Sequence, residues 1–328
     1  MSLLEYYDAL LLDLDGTVWE GGRAIPGAVE TILDSGLPCM YITNNAARGP
    51  QEVADKLRGI GLETTPEFVL TSSQAALTLA RQDFPAGTKV LILGTDSFRS
   101  LARSAGFEVV DSAEENPAVV MQGHNPETGW AELSEAALAI ASGALYLATN
   151  LDTTLPLERG LAVGNGSMVA AVISATGVAP VAAGKPQPVM FQQAIEHLGA
   201  TKPLVVGDRL NTDIEAGNAA DIPTFQVLTG VSGPLALIEA VPEQRPTYIA
   251  ENMLDLKKTA VDLLPGAQGG FTARINRNDI LLERGHPDAT PVQALRTVLE
   301  VAWAMPQPPE LIRPGSDAAE AATAAWWR

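Results

Sequence analysis

Along the first 84 residues, short apolar runs alternate with stretches of helical spacing. Residues 9–14 (ALLLDL) form a near-continuous apolar run, as expected of a strand buried on both faces of a parallel sheet. The pattern then predicts a helix over 28–34, a strand over 39–43 (CMYIT), a helix over 51–59, a strand over 68–70 and a helix over 73–82. Such a β-α-β-α rhythm implies a doubly wound parallel sheet with helices on both faces. A pause at 83–87 (DFPAG) breaks it. The rhythm restarts with a strand at 90–93, a helix near 97–105, strands near 107–110 and 118–121, a helix over 131–142, a strand at 145–148 and a helix over 167–176. Strands at 203–206, 224–227 and 247–250, with helices at 213–219 and 252–263, then resume the first pattern.

The segment 265–270 (PGAQGG) is a linker by composition. Beyond it the pattern weakens to a hairpin around 271–283, a helix over 292–302, a Pro-rich MPQPP stretch and a short helix ending in Trp326-Trp327-Arg328. The expected fold class is therefore α/β, a doubly wound parallel sheet built from 1–84 and 180–264. An α/β unit is inserted over 85–179, and a small α+β extension follows over 265–328.

Composition narrows the class. A chain of 328 residues fits about two or three domains at roughly 100–200 residues each. With 46% hydrophobic and 18% charged residues it is globular rather than disordered. The single cysteine, Cys39, excludes an internal disulfide framework and a multi-cysteine zinc site, and inside a strand it reads as a small hydrophobe. A formal charge of −18 repels nucleic acid and anionic membranes, so neither is expected as a partner. The N-terminus has no basic leader, and its apolar run is broken by Asp8, Asp13 and Asp15. The most membrane-like stretch, 168–183, is rich in alanine and carries Ser174, Gly177 and Pro180. A soluble cytoplasmic protein is expected.

Four segments could carry chemistry. Asp13-Leu14-Asp15-Gly16-Thr17 ends the first strand, where open α/β sheets place their sites. Carboxylates at i and i+2 leave a strand end in the same direction, and crowding them is costly unless a cation or substrate needs them. A polar strand-to-loop turn is the plainer reading. Thr43-Asn44-Asn45 also ends a strand, and its hydroxyl, amides and backbone N–H groups could cradle an oxyanion or simply form an Asn-rich turn. Gly184-Lys185-Pro186-Gln187-Pro188 holds a lysine just before a helix, either as a fixed cation or as an exposed loop charge. Gly207-Asp208-Arg209-Leu210-Asn211-Thr212-Asp213 follows another apolar strand. Asp208 there reads as a metal carboxylate and Asp213 as an orienting neighbour, while Asn211 or Thr212 could cap the next helix.

Taken in order, DxDGT, TNN, GKP and GDxxxxD resemble the haloacid dehalogenase superfamily of phosphotransferases. In detail the chain looks like the subfamily with a large α/β cap between the second and third motifs, that of the NagD-like and p-nitrophenyl-phosphatase-like enzymes. The string Ala148-Thr149-Asn150-Leu151-Asp152 and the turn Gly164-Asn165-Gly166-Ser167 also fit it. The C-terminal extension is similar to the short acetyltransferase-like tail of actinobacterial glycerol 3-phosphate phosphatases.

The resemblance implies that Asp13 attacks phosphorus, and that Asp15 protonates the leaving oxygen and then activates water. It further implies Mg²⁺ held by Asp13, the Asp15 backbone carbonyl and Asp208, with Thr43, Asn44, Asn45 and Lys185 on the phosphoryl oxygens. Dehalogenating relatives lack an acid two residues after the nucleophile, so Asp15 indicates ester hydrolysis. A small phosphorylated metabolite, glycerol 3-phosphate first, is the implied substrate; another sugar, nucleotide or aromatic phosphate is the alternative, and a homodimer is expected. In the inserted unit Asn125 stands where relatives often carry an aspartate and Trp130 where they carry a tyrosine, which leaves His124, Asn125, Asn150 and Asp152 as specificity candidates.

Two other functions compete. A phosphorylated signalling receiver also uses Asp, Thr and Lys, but it has no acid two residues after its aspartate and no insertion between its threonine and lysine. An acyl-transfer role for the tail meets a segment short for a complete coenzyme A-binding fold.

Overall fold

The computed structural model describes residues 2–157 and 159–326; of the terminal pair of tryptophans, Trp327 lies outside the described residues. The chain forms two compact units. One comprises Met1–Cys39 with Ile195–Arg328, the other Met40–Ala194. The expected insertion at 85–179 falls wholly inside the second unit and the 265–328 extension wholly inside the first.

In the first unit four parallel strands lie in the order Tyr248–Ala250, Thr224–Val227, Pro203–Gly207 and Ala9–Leu12. All four residues of Ala9–Leu12 and all five of Pro203–Gly207 are buried, which explains why these stretches are apolar throughout rather than alternating. Their register pairs Ala9 with Pro203 and Leu12 with Val206, and the Asp13 N–H extends the ladder by donating to the Val206 carbonyl at 2.9 Å. This register brings Asp13 and Asp208 to the same carboxyl-terminal edge.

The tail packs a three-stranded sheet and two helices into this same unit. Phe271–Asn276 and Asp279–Arg284 form the expected hairpin, and Ile312–Pro314 adds a parallel strand. Helix Pro291–Ala302 starts with a reciprocal cap. The Thr290 N–H donates to Gln293 Oε1, the Gln293 N–H donates to Thr290 Oγ1, and proline occupies the first turn. Phe271, Ile280, Leu282, Leu295 and Leu299 share one apolar cluster with Leu210, Ile214, Leu237 and Ile249. Trp326 is docked, nearly covered and donating to the Pro291 carbonyl at 3.1 Å.

The second unit pairs Cys39–Thr43 with Val69–Thr71 in parallel, Thr43 opposite Thr71. It also holds a five-stranded parallel sheet in the order Val181–Ala182, Leu145–Ala148, Val119–Gln122, Lys89–Leu93 and Glu108–Val110. Helices Asp96–Ser104, Trp130–Ala141 and Asn165–Thr176 connect its strands. Parallel strands joined by helices in both units are the α/β class that the alternation predicts.

Three local readings need correction. Residues 252–263 are not a helix but two short 3₁₀ turns, Met253–Lys257 and Ala260–Asp262. The Asp255 carboxylate is drawn inward, where it accepts from the Glu251 N–H and pairs with Lys258 and Arg296, and the chain turns extended at Lys258. A hairpin of Thr154–Leu157 with Gly160–Val163 stands where the pattern shows no strand. The helix expected at 213–219 begins earlier, as a π turn over Leu210–Ile214 that runs into Glu215–Ala219, and neither Asn211 nor Thr212 starts it.

Candidate active site

In the first unit, Asp13, Asp208 and Asp213 each place a carboxylate oxygen within 4.8 Å of the others. Asp13 is half-buried, whereas Asp208 and Asp213 are almost completely covered. Each is fixed by its local backbone. Asp13 leaves the end of the Ala9–Leu12 strand, and the chain then folds back so that the Leu14 carbonyl accepts from the N–H groups of Thr17, Val18 and Trp19. Gly16 makes this turn at φ +91°, and a Cβ there would lie 2.6 Å from Asp208 Oδ2. Asp15, two residues on, is exposed and accepts from Trp19 Nε1 at 2.9 Å.

Asp208 accepts from the Val231 N–H at 2.6 Å, and its carbonyl takes the Ser232 N–H at 3.1 Å and Gln226 Nε2 at 2.7 Å. Asp213 turns back so that Oδ2 accepts from the Arg209 N–H at 3.1 Å. Three crowded carboxylates offering only hard oxygen donors fit a Mg²⁺- or Ca²⁺-type cation and not a zinc site. Asp213, expected to act at one remove, stands in the same group as the other two.

Sequence reasoning missed the Thr229-Gly230-Val231-Ser232 turn. Thr229 Oγ1 donates to the Gly16 carbonyl at 2.6 Å, Ser232 Oγ accepts from the Leu210 N–H, and Gly230 packs against the Asp208 carboxylate so closely that a Cβ would overlap it. A signal was present. A Thr-Gly pair one residue beyond the buried Thr224–Val227 strand repeats the strand-end placement of the acidic motifs.

The second unit gathers the remaining motif residues. Thr43 is buried, and its hydroxyl accepts from the Asn45 N–H at 3.0 Å; Asn45 Oδ1 accepts from the Ala47 N–H at 2.9 Å. Lys185 is almost wholly buried, and its Nζ donates to the Ile42 carbonyl at 3.2 Å. It is no loose surface charge. Asn44 Oδ1 accepts from the Lys185 N–H at 2.8 Å, and Asn44 Nδ2 donates to the Lys185 carbonyl at 3.0 Å and to Asp152 Oδ2 at 3.3 Å. The Asn44 carbonyl in turn accepts from Asn150 Nδ2 and Ser72 Oγ.

The specificity candidates divide. Asn150 spends its amide on the Asn44 carbonyl and the Asp152 N–H, and Asn125 spends its own on the Gly94 carbonyl and the Glu127 N–H. Both therefore shape loops. His124 is half-buried, and burial holds its imidazole below the ordinary histidine value. Trp130 is 84% exposed.

The motif order, the strand-end carboxylates and the comparisons agree. The chain belongs to the haloacid dehalogenase-like hydrolases: the profile described by that name matches residues 10–108, and a HAD-hydrolase-like profile matches 182–256. Within that family it is 40% identical to the D-glycerol 3-phosphate phosphatase of Mycobacterium tuberculosis, over 99% of this chain and 95% of that one. The crystal structure of glycerol phosphate phosphatase from the same organism, in complex with magnesium, superposes with a TM-score of 0.94 at 39% identity, covering 99% of this chain and 98% of that one. The acid sugar phosphatase of Staphylococcus aureus is 36% identical over 79% of this chain and 99% of its own. Among the described residues, no helix is long and apolar enough to cross a membrane.

Proposed function

We propose that this chain is a Mg²⁺-dependent phosphomonoester hydrolase, with glycerol 3-phosphate as its first substrate. The carrying observation is the grouping of Asp13, Asp208 and Asp213, with Asp15 two residues beyond Asp13. Near-full-length similarity to an enzyme named for that substrate supports the choice of ester. The acid sugar phosphatase relative puts sugar phosphates next.

In the proposed reaction an Asp13 carboxylate oxygen attacks phosphorus, and the bond from phosphorus to the ester oxygen breaks. Asp15 gives its proton to the departing alkoxide. The Asp15 carboxylate then takes a proton from a water whose oxygen attacks the aspartyl-phosphate, releasing phosphate and restoring Asp13. A divalent cation held by Asp13, Asp208 and the Asp15 carbonyl would neutralise charge on the phosphoryl group, with Asp213 orienting that set.

The Thr43-Asn44-Asn45 turn and Lys185 are assigned the phosphoryl oxygens by motif order. Because the Thr43 hydroxyl accepts from the Asn45 N–H, its own proton is available to donate to such an oxygen. His124 and Asp152 remain specificity candidates, with Asn125 and Asn150 shaping their loops. Residues 85–179 would serve as the cap. A homodimer and a cytoplasmic location complete the proposal, to be checked by light scattering and by cell fractionation.

Phosphate release is the test. Glycerol phosphates, sugar phosphates, nucleoside monophosphates and p-nitrophenyl phosphate are compared with Mg²⁺ and with chelator. Glycerol 3-phosphate should give the highest kcat/KM, and chelator should stop turnover. Asp13→Asn should abolish release, and Asp15→Asn should slow it about 10²–10⁴-fold. Retained turnover in Asp13→Asn would overturn the assignment of the nucleophile.

A further inference from the structure

We infer that the Asn44 side chain is a positioning residue for Lys185 and makes no contact with the phosphoryl group. The inference rests on the reading of Lys185 as the phosphoryl-binding cation.

Two atoms of one carboxamide pair with the N–H and the C=O of one residue. Asn44 Oδ1 takes the Lys185 N–H at 2.8 Å, and Asn44 Nδ2 gives to the Lys185 carbonyl at 3.0 Å. This is the exchange a neighbouring β-strand would make, supplied here by a side chain. It fixes the plane of the backbone at position 185, and with it the direction in which the lysine stem leaves. The far end of that stem is held as well, by Nζ donating to the Ile42 carbonyl at 3.2 Å. A lysine is otherwise among the most mobile side chains, so restraint at both ends removes entropy that ligand binding would have to remove.

The clasp is itself braced. Asn44 Nδ2 also donates to Asp152 Oδ2, while the Asn44 carbonyl accepts from Asn150 Nδ2 at 2.7 Å and Ser72 Oγ at 2.6 Å. Gly184 is required for the approach. A Cβ at Gly184 would lie 2.5 Å from the Thr149 carbonyl oxygen and 2.6 Å from Asn44 Oδ1, so any side chain there would pry the clasp open.

The test is a double-mutant cycle read by calorimetric binding of inorganic phosphate to the full chain in Mg²⁺, with melting temperatures alongside. Lys185→Ala should weaken phosphate about 10- to 100-fold, as expected for a lost charge-assisted contact. Asn44→Ala should weaken it several-fold alone, yet add no more than about twofold on top of Lys185→Ala. The melting temperature should fall for Asn44→Ala in both backgrounds, because the backbone bonds at position 185 are lost either way. Gly184→Ala keeps both side chains and should reproduce the affinity loss of Asn44→Ala. Independent effects of the two substitutions on phosphate, or an unchanged affinity in Gly184→Ala, overturn the inference. A wild-type chain that neither binds phosphate nor hydrolyses esters overturns the phosphatase reading instead.

Discussion

At the scale of single residues, glycines decide how closely the acidic groups can gather. A Cβ on Gly230 would overlap the Asp208 carboxylate and push it away from Asp13 and Asp213. Gly230→Ala should therefore bind Mg²⁺ at least about tenfold more weakly, a loss of about 1.4 kcal/mol, in a calorimetric titration. Its melting temperature without metal should also fall, because the displaced carboxylate loses the Val231 N–H.

His124 gives a prediction with a sign. Burial lowers its pKa, so the folded chain binds this proton less readily than the unfolded chain. Stability from this group is complete above the unfolded value, about pH 6.5, and declines as pH falls below it. Between pH 7.5 and 5.5 the urea midpoint of the wild type should drop further than that of His124→Gln.

At the scale of elements, the strands Cys39–Thr43 and Leu145–Ala148 fall where the apolar pattern places them, because a doubly covered strand has little freedom to be polar, while Thr224–Val227 buries Thr224 and Gln226 against the Thr247 N–H and the Asp208 carbonyl. The hairpin Thr154–Leu157 with Gly160–Val163 escaped notice because Pro156 argues against a strand and Gly160–Val163 is largely exposed. The 252–263 segment misled through its spacing of Met253 and Leu256. Its fate turns on Asp255, whose partner Arg296 lies 41 residues away and belongs to another element. Three motifs of the candidate site were legible for the same reason as the strands, each following a predicted strand, while Lys185 was marked by the prolines beside it and the helix after it. The Asn44 clasp was not legible, because sequence does not show which backbone an amide will face.

The Asp255–Arg296 pair is a test at this level. Arg296 Nε donates to the Ile249 carbonyl at 2.8 Å and Nη1 to Gln268 Oε1 at 3.2 Å, with the guanidinium almost fully buried. Arg296→Leu removes the donor to the Ile249 carbonyl and the buried cation beside Asp255, which keeps only Lys258 and the Glu251 N–H. It should cost about 3 kcal/mol of unfolding free energy in urea, and Asp255→Asn in the same chain should restore part of that.

At the scale of the whole molecule, the tail is joined to the rest of its unit by a common apolar core rather than hung on a linker. Trp303 Nε1 donates to the Leu237 carbonyl at 2.8 Å, and Arg245 Nη1 donates to the Trp303 carbonyl at 2.9 Å with its guanidinium over the Trp303 ring. Leu210 and Ile214, which flank Asp213, belong to that core. A chain ending at Leu264 should therefore aggregate or melt without a cooperative transition, as scanning calorimetry and size-exclusion chromatography would show.

That shared core also sets a timetable for the nascent chain. The segment bearing Asp13 leaves the ribosome well before residues 271–326, which complete the core of the unit it belongs to. A message cut short before the tail should thus yield a polypeptide with every motif written in it but without part of the core that Leu210 and Ile214 pack into.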